Sequence, residues 1–151
     1  MNYGYIDIET INKQARVICD SLGYGINHTA HKLIVETATT ETGLGRIKDK
    51  TLGAGMGICQ FDKMPFYDIR DRSAKYKEKI YRELGVDIDL VEWEHLRYSS
   101  FLSLLFCRLH YKPFAEAIPQ DIKNRAAYWK KYYNTELGKG DVEHYLRMNG
   151  V

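Results

Sequence analysis

Proline is scarce, three residues in 151, and no stretch rich in serine and glycine occurs, so neither a disordered tail nor a long flexible linker is expected. Charge of one sign is also lacking: 22 basic and 20 acidic residues leave a formal +2, which neither demands nor forbids an anionic partner. The densest basic stretch, Arg70, Arg72, Lys75, Lys77 and Lys79, is interrupted by Asp68, Asp71 and Glu78. It reads as a solvated helix face, and no nucleic acid is expected as a partner. The three cysteines, Cys19, Cys59 and Cys107, are odd in number, widely spaced and set among apolar neighbours, which argues against a disulfide framework. No Cys/His cluster has metal-ligand spacing, so neither a metal nor a cofactor is expected. Long hydrophobic runs are missing too. The longest, 101–109, contains Ser103 and Arg108 and is too short to cross a bilayer, so no membrane insertion is expected. Met1-Asn2-Tyr3-Gly4-Tyr5 lacks a basic region followed by an apolar run, so the reading is a chain without a signal peptide, made and kept in the cytosol.

What is present points to one domain over residues 1–151, with 44% hydrophobic and 28% charged residues, enough of the former to bury a substantial core. The class is mainly α. A first helix begins near Asp7 or Thr10 and stops at Gly23, with Ile8, Ile11, Ala15, Ile18 and Leu22 on one face. A second runs from Asn27 or Thr29 to Gly43. Residues 43–60 hold five glycines, a breaker density that fits a loop or small β-hairpin over 44–60. Asp62 caps a short helix before Tyr67, and Ser73 caps another that Gly85 ends. Over 98–110 apolar residues fall almost all round the helical wheel, as in a central buried helix. Pro119 precedes an amphipathic helix over 120–135, and a last helix starts at Asp141.

The second helix carries the chemical clue. At 100° per residue, Ala30, Leu33, Ile34, Thr37 and Ala38 share one face, and Glu41 lies in the middle of it, while Glu36 projects well away. A carboxyl on an apolar face is desolvated and binds its proton more tightly, which a general acid working near neutral pH requires. Periodicity alone leaves two blander readings open, a surface residue at the helix end or one half of a buried ion pair, and these are the commoner outcomes.

The residues that follow are Glu41-Thr42-Gly43-Leu44 and then Gly53-Ala54-Gly55-Met56-Gly57-Ile58-Cys59-Gln60-Phe61. This pattern resembles the signature of the lysozyme-like lytic transglycosylases, in which a helix-ending catalytic glutamate is followed by serine and later by Gly-Ala-x-Gly-Leu-Met-Gln. Tyr128-Trp129-Lys130-Lys131-Tyr132-Tyr133-Asn134-Thr135, with Gly138-Lys139-Gly140 after it, is similar to the Tyr-Asn-x-Gly element of those enzymes. It is closer still to the Tyr-Trp-Lys-Lys-x-Tyr-Asn-Thr stretch of small bacteriophage endolysins. The resemblance covers roughly residues 30–67 and 98–140. Thr42 stands where serine is usual and Cys59 where methionine is usual, so subsites are not carried over.

The resemblance implies a lysozyme-like fold with a cleft beside residues 41–60, Glu41 as catalytic acid, and Gln60, Gly57, Thr42, Tyr133 and Asn134 lining the substrate site. Glycines let the backbone run close to a sugar, and the Gln60 amide offers donor and acceptor to hydroxyl or acetamido groups. Tyr133 shares a helix face with Ile122, Ala126 and Trp129, so its ring reads equally as core; its hydroxyl would then need a partner, for which Glu41 is the natural one.

The implied substrate is the glycan strand of peptidoglycan, and the implied reaction that of a lytic transglycosylase, needing one glutamate. Hydrolysis usually needs two carboxyl groups. Asp49 with Thr51 after it resembles the Glu-Asp-Thr arrangement of phage-type lysozymes, yet Asp49 sits in a charged loop where solvated aspartates are common. The competing class is a non-catalytic lysozyme-fold protein that binds glycan or builds a virion. The expected setting is a monomeric phage endolysin that gathers in the host cytoplasm and reaches the wall once the inner membrane is breached.

Overall fold

The computed structural model describes residues 7–46, 55–135 and 138–151. It is mainly α. Helices α1 (Ile8–Leu22), α2 (Ala30–Thr42), α3 (Lys63–Arg72), α4 (Lys77–Leu84), α5 (Ser100–Tyr111), α6 (Ile122–Trp129) and α7 (Val142–Met148) are joined by short 3₁₀ turns and loops. Local chemistry sets most of their ends. Asp7 accepts the Thr10 N–H at 3.0 Å ahead of α1, and Gly23 stops that helix. Gly43 ends α2 in the left-handed region (φ 57°), and Gly85 ends α4 in the same way (φ 71°), a backbone setting that costs glycine little.

Helix α5 lies at the centre. Leu104, Leu105, Phe106 and Cys107 are fully buried and Leu109 nearly so, while Phe101 at its start is half-buried. Helices α1, α2 and α3 all pack against it. The apolar face of α2 is buried as its periodicity requires: Ala30, Leu33, Ile34, Thr37 and Ala38 have no exposure.

Three expectations differ from the structure. Helix α3 continues to Arg72 rather than stopping before Tyr67, because Phe66 and Ile69 form a second buried turn. Residues 74–84 are not one helix capped by Ser73 but a 3₁₀ turn, Ala74–Tyr76, leading into α4. The stretch expected as one helix over 120–135 is α only to Trp129; Lys130–Asn134 is a π turn, closed by Thr135 N–H to the Lys130 carbonyl at 2.7 Å. In the 44–60 region the described part shows one isolated antiparallel bridge, Met56 with Phe61; residues 47–54 lie outside the described residues, and with them most of the expected hairpin and one side of the expected cleft.

The carboxyl-terminal helices are tied to α2 by a buried polar network. Arg125 of α6 grips Glu36 with two hydrogen bonds, Nε to Oε1 at 2.7 Å and Nη2 to Oε2 at 2.8 Å. The Tyr145 hydroxyl of α7 donates to Glu36 Oε1 at 2.7 Å, and Asn149 donates to Thr40 Oγ1 at 3.0 Å. The side chains of Arg125 and Glu36 are only 6% and 13% exposed. Glu36 does point away from the face that holds Glu41, but to a partner helix rather than to water. Removing one member of a buried pair strands the other's charge. Glu36→Gln should therefore destabilise the fold by about 3 kcal/mol, seen in thermal melts as a fall in Tm of roughly 6–12 °C.

Candidate functional site

Helix α2 ends in a run of threonines whose hydroxyls bond back to carbonyls one turn earlier: Thr37 to Leu33, Thr39 to Val35 and Thr40 to Glu36, at 2.7–2.9 Å. Such bonds satisfy hydroxyls that the core would otherwise strand. Glu41 is the next-to-last residue of this helix, partly buried among α2, the 55–61 loop and the α6 end. Burial is the main influence on its carboxyl and pushes its pKa from about 4.5 up to about 7. The Trp129 indole N–H works against this by favouring the carboxylate, and the negative charge of Asp62 works with it. That indole N–H is buried and has no hydrogen-bond partner among the described residues. Trp129 itself is wholly buried, its ring tilted at 45° to that of Tyr145 with centroids 5.3 Å apart.

Thr42 is expected against substrate but is fully buried. Its hydroxyl donates to the Ile58 carbonyl at 2.7 Å and accepts the Gly45 N–H at 2.9 Å. It fastens the glycine-rich loop to the helix end; its one donor is spent and its burial keeps it from a sugar. Gly57 is buried too, with φ 77°; a Cβ there would meet Ser103 Oγ at 2.4 Å and the Leu96 carbonyl oxygen at 2.6 Å. Its glycine identity is thus set by close packing on α5 and the 3₁₀ turn Trp93–Arg97, not by a sugar at the surface.

Gln60 lies at the surface end of the turn in the left-handed region (φ 55°), and its Nε2 donates to the Gly57 carbonyl at 2.9 Å. One donor is spent on shaping the turn, and the side chain stays partly exposed. Tyr133 donates its hydroxyl to the Cys59 carbonyl, not to Glu41 as expected. Its ring packs in the aromatic cluster of Phe61, His110 and Tyr111, at centroid distances of 5.8, 4.8 and 5.6 Å. Asn134 is likewise structural: its Oδ1 accepts from Lys130 Nζ at 2.6 Å, and the same ammonium holds the Gly138 and Gly140 carbonyls. Asp49 and Thr51 lie outside the described residues.

The structure therefore puts Tyr133, Trp129, whose place here the sequence did not show, and Asp62, expected only as a helix cap, within electrostatic reach of Glu41. Asp62 does stand at the N-cap position of α3, but its side chain makes no capping bond. No group of residues able to hold a metal ion occurs among the described residues, and none of their helices is long and apolar enough to cross a membrane.

Two outcomes follow from this geometry. Thr42→Val keeps shape but strands the buried Ile58 carbonyl, while the Gly45 N–H keeps its bond to the Thr42 carbonyl at 3.1 Å, so it should cost about 1–3 kcal/mol, whereas Thr42→Ser retains the hydroxyl and should melt close to the parent. For Glu41 the raised pKa means that ionisation opposes folding as pH rises from about 4.5 through about 7. Glu41→Gln should then match the parent at pH 4 and exceed it at pH 8 by on the order of 3 kcal/mol, measured by denaturant melts at both values.

Comparisons with protein-family models, with curated proteins and with solved structures each find no match.

Proposed function

We propose that this chain cleaves the β-1,4 bond between N-acetylmuramic acid and N-acetylglucosamine in peptidoglycan, as a lytic transglycosylase with Glu41 as its acid. The observation that carries the reading is the state of Glu41: a carboxyl desolvated at a helix end, with its pKa pushed to about 7, beside a glycine-rich turn that presents Gln60. Such a group still holds a proton near neutral pH and can release it when a leaving oxygen comes within reach. A binding module has no use for that property, which favours an enzyme over a glycan-binding or virion protein. The resemblance to lysozyme-like lytic transglycosylases and small phage endolysins supplies the substrate class, and a helical fold around a buried central helix is compatible with a lysozyme-like domain.

In this reaction Glu41 protonates the glycosidic oxygen as the bond to the muramic C1 breaks. The resulting carboxylate then takes the proton of the muramic 6-hydroxyl, whose oxygen closes on C1 to give a 1,6-anhydro ring. No water is consumed and the enzyme regains its proton. Trp129 assists the middle stage, since its indole N–H favours the carboxylate form that exists only between the two transfers. Gln60 orients sugar substituents through the amide capacity its turn leaves free. The setting in which such a chain would act is phage-driven lysis, from the host cytoplasm once the membrane is breached.

Digestion of purified sacculi followed by mass spectrometry tests both the activity and the product. Muropeptides ending in 1,6-anhydro muramic acid are expected; reducing ends together with an inactive Asp49→Asn variant would make the enzyme a hydrolytic lysozyme instead. Glu41→Gln should lower turnover by at least about a hundredfold, while Glu36→Gln should keep the activity of whatever fraction remains folded. Because the proton-bearing form of Glu41 is the active one, the parent's rate should fall as pH rises through about 7. A rate unchanged from pH 6 to pH 9 would remove Glu41 from the role of acid.

A further inference from the structure

Among the described residues the fold buries two arginines, Arg108 of α5 at 4% and Arg125 of α6 at 5% exposure. Arg125 is met by both carboxylate oxygens of Glu36. Arg108 is met by no carboxylate. Its Nε donates to the Gly23 carbonyl at 3.1 Å. Its two Nη groups, four N–H donors in all, make no hydrogen bond among the described residues and are not sealed from solvent. The Cys19 thiol beside it brings no charge, since burial pushes the thiol pKa up to about 11. Lys112, one turn further on, has no ion pair among the described residues either; its ammonium donates to the Leu22 carbonyl at 2.7 Å.

Both cations thus cap the carboxyl end of α1, but capping does not use them up. A helix end carries about half a negative charge, so the ends of α1 and α5 together set about one against two full positive charges. A buried charge left without a partner is costly, and burial lowers the pKa of both groups.

The two cations border a cavity of about 330 Å³, between the turn after α1 and the loop after α5, at the other end of α2 from Glu41. Small-molecule sites span roughly 300–1,000 Å³. Tyr111, Phe114, Ile118 and Tyr128 line it too. The Tyr111 hydroxyl is engaged with Thr37 and that of Tyr128 with the Glu116 carbonyl, each at 3.0 Å, so both residues offer ring surface. Glu116 also borders the cavity, with its carboxylate taken by Lys131 and the Tyr132 hydroxyl, both at 3.0 Å. The N–H groups of Ala115 and Ala117, on the same lining, donate to nothing among the described residues. The walls are fixed in advance: Asn27 Nδ2 and Thr29 Oγ1 both donate to the Ile118 carbonyl, at 2.9 and 3.3 Å.

We propose that this cavity binds a small organic carboxylate, its anionic group on the Nη fork of Arg108 and its flat apolar body against Tyr111, Phe114 and Tyr128. A planar carboxylate matches the parallel N–H groups of a guanidinium, and its single charge offsets what the helix ends leave over. Inorganic phosphate carries more charge and no apolar body. The site does not depend on the role of Glu41.

The test uses the whole chain, phenylacetate as the probe and proton–nitrogen NMR as the readout. Phenylacetate should shift the Arg108 Nε–H signal and the Ala115 and Ala117 amides saturably, with a Kd on the order of 1 mM. Phenylacetamide, which has the shape without the charge, should bind at least about tenfold more weakly, and acetate, which lacks the ring, likewise by about tenfold. Arg108→Gln should weaken phenylacetate binding to the same degree, its melting curve showing whether it is folded. Should that variant not fold, the two comparisons in the parent protein decide alone. Signals unmoved at about 10 mM phenylacetate, or equal binding of phenylacetamide, would overturn the proposal. Tighter binding of inorganic phosphate than of phenylacetate would overturn it as well.

Discussion

The grip of Arg125 on Glu36 is the interaction on which the site depends. It is bidentate, nearly dry, and joined by the Tyr145 hydroxyl, so it fixes both α6 and α7 against α2 in one register. That register places Trp129 beside Glu41, one turn beyond Arg125, and sends the π turn toward the 55–61 loop. A buried pair of this kind adds little to stability over an apolar equivalent, because two desolvated ions must first be paired. What it adds is definition, since no slid arrangement of the two helices satisfies both charges.

The second fastening is at the loop. Thr42 binds Ile58 from one side and Tyr133 binds Cys59 from the other, so two successive carbonyls of the turn are held by side chains far apart in the chain. Gly57 lets the turn sink against Ser103 and Leu96, where any side chain would collide with them. Gln60, which must adopt a left-handed backbone to complete the turn, is held there by its own amide on Gly57. Strain of this kind persists only where the surroundings over-determine the conformation. Here they do so beside the candidate acid, and the side chain that results is partly open to solvent.

The helices were legible in the sequence because their ends are local chemistry. Asp7, Asp141, Gly23, Gly43 and Gly85 each act within a turn of themselves, so reading them required no tertiary knowledge. The central place of α5 was legible as well, since a helix apolar all round has nowhere else to go. Illegible features depend on partners distant in sequence. Thr42 and Gly57 fit a substrate-binding motif by residue type, and only the fold reveals that a carbonyl from the loop and a serine from α5 have claimed them. The π turn at Lys130–Asn134 depends on Lys130 reaching forward to the Gly138 and Gly140 carbonyls. Asp62 read as a cap because aspartate at that position usually is one, and the missing hydrogen bond is a fact of geometry. The importance of Trp129 had a trace in the sequence, on the face it shares with Tyr133, but nothing there linked it to a glutamate on another helix.

Glu36 and Glu41 state the problem of this fold in one helix. They are five residues apart, about 140° round the helix axis, and both leave water on folding. A buried carboxyl has two routes to a tolerable energy: an opposite charge with good hydrogen bonds, or a proton. Glu36 takes the first, and its charge is then locked to Arg125, useful for architecture and useless for chemistry. Among the described residues no cation acts on Glu41, while the charge of Asp62 and an indole N–H without a hydrogen-bond partner do. Glu41 takes the second route, and a proton held only by desolvation is released as soon as a better base or a change in solvation is offered. The same helix thus contains one carboxyl that cannot ionise alone without loss of the fold and one whose ionisation the fold resists; only the latter can act as an acid.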